Sequence, residues 1–137
     1  MRKSTAMIER LTPHGSPAPR GAYSPAVRAG DFVFVSGQLP IDAASNKIAS
    51  ASVAEQTRQT IENLQTVLSA AGAGLADVVK CSVFLADIRD FAAMNEVYAE
   101  FFGEAKPARS TVQAVLPSSE ARVEIDCIAY APRGAAA

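Results

Sequence analysis

The stretch DFVFVSG, residues 31–37, constrains this chain more than any other. In an extended backbone Phe32 and Phe34 fall on one face, and Val33 and Val35 on the other. DVVKCSVFLA, residues 77–86, repeats the pattern. Both read as strands with apolar side chains on both sides, so the sheet they build must be covered on both sides.

The rest of the chain offers too little to cover it. STAMIERL (4–11) reads as a short first strand, and TPHGSPAPRGAYSPA (12–26), dense in proline, glycine and serine, as a loop. A helix is expected from Ser52, where Ser52 and Glu55 form an S-x-x-E capping box. Thr57, Ile61, Leu64 and Leu68 follow at helical spacing, and Gly72 is a natural stop. A second helix is expected from about Ile88, with Ile88, Phe91, Met94, Tyr98 and Phe101 as its core stripe and Gly103 as its end. Two strands, 108–116 and 121–130, close the chain around a turn at LPSS.

The expected order is therefore ββαβαββ, an α+β domain with a mixed sheet. Right-handed crossovers put both helices on one face of it. The other face stays bare and apolar, which soluble monomers avoid. A homo-oligomer is expected.

The 137 residues suffice for one domain, 1–137, with 1–3 and 132–137 expected to fray. A 49% hydrophobic share with 20% charge belongs to a globular protein. The net charge of −1 and the pI near 5.8 leave no basic stripe for a phosphate backbone, so nucleic acid is not an expected partner. The N-terminal segment lacks the apolar run of a signal peptide, and no stretch approaches the roughly 20 apolar residues that span a bilayer. No membrane partner is expected, and the expected address is the cytoplasm. Cys81 and Cys127 sit in apolar strand patterns and read as buried free thiols.

Subtraction narrows the chemistry. His14 is the only histidine and lies in the Pro/Gly loop, which argues against a serine–histidine triad. Without a His/Cys cluster no metal site is expected, and no glycine loop is built for phosphate. What remains is Arg109, Glu124, Tyr23 and SGQLP (36–40). KPARSTVQAV (106–115) keeps Arg109, Thr111 and Gln113 on one face and Ser110, Val112 and Ala114 on the other. If the last two strands pair as a hairpin, Arg109 and Glu124 share a side of the sheet. They then sit either opposite each other or about four residues apart, roughly 13 Å at ~3.3 Å per residue. On spacing alone they form a surface ion pair or the rim of a site.

GAYSPAV, FVFVSGQLP, VVKCSVFLADIRDFAAMNEVYAEFF, PARSTV and VEIDCIA, in this order from about residue 20 to 130, resemble the RidA/YjgF family, the reactive intermediate deaminases. The resemblance implies a chorismate-mutase-like fold assembled as a homotrimer with active sites in clefts between subunits. It implies hydrolysis of enamines and imines of the 2-aminoacrylate/2-iminopropanoate type to a 2-oxo acid and ammonia, with no cofactor. Arg109 matches the arginine that binds the substrate carboxylate, and Glu124 the glutamate that positions or activates water. Tyr23, Ser36 and Gly37 match residues lining the cleft, and Asn95 matches a recurrent asparagine read as structural. Thr111 stands where cysteine is common, its backbone N–H still able to meet a ligand, and Ala22 where proline is common. These two departures leave the subgroup and the substrate open.

The chemistry suits these residues, because a protonated imine carbon is already electrophilic. Arginine grips a carboxylate with two prongs, and a carboxylate can take a proton from water. Three other readings compete. They are a 2-oxo acid sensor that needs Arg109 but not Glu124, an imine hydrolase for a larger substrate, and an endoribonuclease or translation inhibitor, disfavoured by the acidic pI and the lone histidine.

Overall fold

The computed structural model describes residues 7–133. The strands are β1 (Ile8–Leu11), β2 (Ala26–Ala29), β3 (Phe32–Gln38), the short β4 (Ile41–Asp42) and β5 (Lys47–Ile48), β6 (Val78–Leu85), β7 (Ala108–Gln113) and β8 (Val123–Tyr130). The helices are α1 (Val53–Ala70), between β5 and β6, and α2 (Phe91–Phe102), between β6 and β7. Among the described residues one sheet runs β1-β2-β3-β8-β6-β7, and β4 pairs with β5 apart from it. The β6–β7 pair is parallel and the other neighbours are antiparallel, so the sheet is mixed.

Both helices pack on one face, as expected. Val33, Val35, Cys81, Val83, Leu85, Ile125 and Cys127 point into a core that α1 and α2 close with Leu64, Leu68, Met94, Tyr98 and Phe102. On the opposite face Phe32, Phe34 and Tyr130 are 41%, 43% and 47% exposed. Phe32 and Tyr130 stack there with ring centroids 5.3 Å apart. The alternation in DFVFVSG thus divides as its pattern requires, with valines inward and phenylalanines on a bare face.

Three expectations are corrected. The order ββαβαββ omits β2, which lies inside and just beyond the segment read as loop, and the β4–β5 hairpin. In β2 the polar residue points inward: Arg28 is 4% exposed. Its guanidinium donates to the carbonyls of Ala131 (2.8 Å), Ala71 (2.7 Å) and Gly30 (3.3 Å). A buried arginine whose two terminal nitrogens reach carbonyls, with Nε left unpartnered among the described residues, defeats a reading based on hydrophobic alternation. Of the first strand read at 4–11, Ile8–Leu11 is observed, and 4–6 lie outside the described residues.

The second correction concerns the closing strands, which do not form a hairpin. β6 lies between β7 and β8, pairing Cys81 with Arg109 on one side and with Cys127 on the other. The 114–122 segment crosses the end of β6, held by Ala114 N–H on Leu85 O (2.9 Å) and Ala86 N–H on Arg122 O (3.0 Å). The crossover through α2 sets β7 beside β6 as an edge strand, so adjacency in sequence does not become adjacency in the sheet.

The third concerns α2. Ile88–Asp90 forms a tighter 3₁₀ turn ahead of it, opened by the Asp87 carboxylate accepting from Arg89 N–H (2.9 Å). The change of pitch turns Ile88 and Phe91 outward, and Phe102 rather than Phe101 is fully buried. Met94 and Tyr98 keep their core places.

The start of α1 follows its motif with one change. Ser52 Oγ accepts from Glu55 N–H at 3.2 Å. The Glu55 carboxylate takes the Ser50 hydroxyl instead of the Ser52 N–H, which donates to Ser50 Oγ at 3.0 Å. Among the described residues no helix is long and apolar enough to cross a membrane. Arg133 pairs with Glu9, and 134–137 of the tail lie outside the described residues.

Candidate functional site

A cavity of about 460 Å3 opens beside the bare face of the sheet, lined among others by Arg20, Tyr23, Ser36, Gly37, Leu39 and Glu124. That size is within the range of small-molecule sites. Its wall is the 17–25 loop, fixed to β3 by two bonds. The Ser36 hydroxyl donates to Ser24 O at 2.6 Å, and Ser36 N–H donates to Pro25 O at 3.0 Å. Ser36 therefore spends its hydroxyl proton on the wall and keeps lone pairs for a ligand. Tyr23 follows at the half-exposed rim, its Oη accepting from Arg20 N–H at 3.2 Å.

The opposite wall depends on buried polar residues of α1. Asn63 donates to the carbonyls of Leu39 (3.0 Å) and Ile41 (2.9 Å), two residues of the lining. Gln56 donates to Ser50 O (2.8 Å) and Glu120 O (3.0 Å) and accepts from Arg122 N–H (2.7 Å), which holds the entry to β8. Glu124 is the second residue of that strand.

Between Val35 and Gln38 the β3–β8 register slips, and Gly37 stands in the irregular stretch. A Cβ on Gly37 would lie 2.6 Å from Glu124 Oε2 and 3.0 Å from Cδ. The bare backbone leaves the carboxylate room beside it in the cavity lining. Burial, and then the like charge of Asp126, push the Glu124 carboxyl above the ordinary 4.5. Among the described residues no cation offsets that rise.

Arg109 lies elsewhere. Its register with Cys81 puts it on the helix side of the sheet, whereas Glu124, in register with Phe84, is on the bare side. The expectation that the two share a side is overturned, for the topological reason given above. Arg109 is held by α2. Nη1 donates to Asn95 Oδ1 at 2.7 Å, and the guanidinium lies 4.7 Å from the Tyr98 ring centroid and 5.3 Å from that of Phe91. Asn95 thus orients Arg109 beyond any purely structural part. Among the described residues Arg109 has no carboxylate partner. Two residues on, the buried Thr111 Oγ1 makes no hydrogen bond among the described residues.

Tyr23, Ser36, Gly37 and Glu124 therefore meet in one cavity, while Arg109 and Thr111 form a second cluster on the edge strand. Sequence reading missed Arg20 and Asn63. Arg20 precedes the GAY segment and could have been suspected from it, whereas Asn63 sits mid-helix with no local signal. His14 is exposed, outside the cavity lining. Burial raises both thiols, Cys81 and Cys127, which leaves them poor nucleophiles.

The same arrangement of chain is found in known proteins. The family profile described as endoribonuclease L-PSP matches residues 14–131. A RutC family protein of Pyrococcus horikoshii is 47% identical over 124 residues, covering 90% of this chain and 98% of its own. The 3-aminoacrylate deaminase RutC of Acinetobacter baylyi is 41% identical over 122 residues, covering 89% and 97%. Among solved structures, the YjgF gene product of E. coli superposes with a TM-score of 0.83 at 34% identity, covering 89% of this chain and 98% of that one.

Proposed function

Because the chain belongs to the RidA/YjgF family, whose members include reactive intermediate deaminases, we propose that it hydrolyses 2-imino acids and their enamine tautomers to 2-oxo acids and ammonia. One observation supports this reading above the others. Among the described residues the chain carries two incomplete halves of a site, a desolvated carboxylate without a cation and an arginine, held by Asn95, without an anion.

A homotrimer joins them. The bare face with Phe32, Phe34 and Tyr130 meets a second copy, and the edge strand of that copy brings Arg109 to the cavity that holds Glu124. The assembly removes the exposed apolar patch and pairs the two charges through the substrate. The guanidinium, already held by Asn95 and Tyr98, uses its remaining N–H groups for a two-pronged grip on the α-carboxylate. Thr111 adds its backbone N–H beside that grip.

The chemistry follows from the placement. Ionised Glu124 accepts a proton from water as the water oxygen attacks the carbon of the protonated imine, and the C=N electron pair moves to nitrogen, leaving a neutral amine. Glu124 returns its proton to the amine as the C–N bond breaks. The hydroxyl loses its proton, a carbonyl forms and ammonia leaves. Proton transfer by a positioned carboxylate typically contributes 10²–10⁴-fold. RNA cleavage, the activity in the family description, has less support, since the one histidine is exposed outside the cavity lining and the net charge is −1.

The test couples the protein to an enzyme that releases 2-aminoacrylate from serine and follows pyruvate. Acceleration over buffer, lost in Arg109→Ala, is expected. No acceleration with any of several imines, alongside intact 2-oxo acid binding, would replace the enzyme with a sensor.

A further inference from the structure

We propose that Arg20 reads an acidic side chain of the substrate, so that the cleft favours dicarboxylic 2-imino acids over 2-iminopropanoate. This deepens the imine-hydrolase reading and rests on it.

Arg20 lines the same cavity as Tyr23, Ser36 and Glu124. It is held at both ends. Its backbone N–H donates to Tyr23 Oη at 3.2 Å, and Nη2 reaches Asn46 O at 3.4 Å and Asn46 Oδ1 at 3.5 Å. Asn46 is itself fixed in the β4–β5 turn with φ 59°, its N–H on Asp42 O at 2.7 Å. The exposed guanidinium thus meets only neutral groups at long range, on the side of the β4–β5 turn, and these leave its charge uncancelled.

The ion pairs of the described residues engage Arg58, Arg89, Arg122 and Arg133, and none engages Arg20. Glu124 is not its counter-ion either, since none of the ion pairs among the described residues includes Glu124. A substrate with a single carboxylate, gripped by Arg109, leaves Arg20 without a carboxylate partner among the described residues. A second carboxylate at the far end of a short chain satisfies it, with the imine carbon held between the two arginines near Glu124. Arginine suits that role because its planar fork meets a carboxylate with two parallel bonds.

The test measures binding and turnover separately. Calorimetry compares oxaloacetate and 2-oxoglutarate with pyruvate and 2-oxobutanoate on the wild-type protein, Arg20→Gln and Arg20→Lys. At least one dicarboxylate is expected to bind about tenfold tighter than its monocarboxylate counterpart. That ratio falls to about one in Arg20→Gln and survives in part in Arg20→Lys. Equal affinities in the wild type, or a preference that persists in Arg20→Gln, overturn the assignment. Turnover of the matching imines, made in situ by amino-acid oxidases, separates the two readings. Hydrolysis of 2-iminopropanoate with no dicarboxylate preference in binding sinks the role of Arg20 alone. A binding preference with no hydrolysis of any imine sinks the enzyme reading and leaves Arg20 as an anion receptor.

Discussion

Gly37 and Glu124 are in contact across the β3–β8 pair, so close that a Cβ on Gly37 would lie 2.6 Å from the carboxylate oxygen. The backbone at Gly37 is outside the left-handed region, so alanine is conformationally acceptable there. Only the carboxylate must move. Gly37→Ala should therefore displace Glu124 with little loss of fold. The expected result is at least a tenfold fall in kcat, about 1.4 kcal/mol of transition-state stabilisation, with a melting temperature close to that of the parent. Unchanged turnover would show that the carboxylate position is immaterial.

Glu124 also sets a pH dependence. Within one chain burial holds its carboxyl above the ordinary 4.5, and while that outweighs the Arg109 cation of the second copy the ionised form that accepts the proton is lost at a higher pH than for a free carboxylate. The rate should fall on the acid side in that window, and Glu124→Gln should remove this limb and cut turnover at least tenfold while 2-oxo acid binding changes little. Stability runs the other way. A raised carboxyl pKa contributes stability in full below the unfolded value and loses it as pH rises through the folded value. Glu124→Gln should then melt higher than the parent near neutral pH, and the gap should close toward pH 4. A matching gap at all pH values would deny the burial of the charge.

Arg109 should behave as an anchor whose aim depends on Asn95. Arg109→Lys loses both the fork and the stacking on Tyr98, and weakens carboxylate binding more than it slows chemistry. Asn95→Ala removes the 2.7 Å bond and should raise KM severalfold, about 1 kcal/mol, with kcat close to the parent. A fall in kcat at constant KM would place Asn95 in the chemical step instead.

How far the sequence could be read is decided by where each signal lies. The alternation in 31–37 is local, and β3 follows it. The S-x-x-E start of α1 is local too, and Ser52 caps the helix. The position of β7 is not local, because α2 carries the chain past β6 before β7 forms, and nothing in residues 108–130 records that step. Arg109 and Glu124 were thus recognisable as candidates while the face each occupies was not. Arg28 shows the converse problem, a charged side chain buried on carbonyl partners that are 2, 43 and 103 residues away.

Asn63 carries a prediction about the cavity wall. Replacing it with alanine takes the side-chain donor from the Ile41 carbonyl and leaves the Leu39 carbonyl with the Ile41 N–H alone, at about 1–3 kcal/mol. Chemical denaturation should register that loss, and KM should rise because Leu39 and Ile41 line the cavity. A loss of stability with KM unchanged would uncouple α1 from the site.

The sharing of one site between two subunits is tested by subunit complementation. Arg109→Ala and Glu124→Gln are prepared separately, and each is expected to form trimers of about three times 14.3 kDa with at most a tenth of the parent's activity. They are then unfolded together and refolded as a mixture. If each site joins Arg109 of one subunit to Glu124 of the next, random assembly restores about one quarter of the sites, because a site is intact when each subunit supplies its unmutated residue. Activity near that fraction of wild type is the predicted result. Mixed trimers, demonstrated by mass, that remain inactive would place both residues of each site in one chain and contradict the shared cleft.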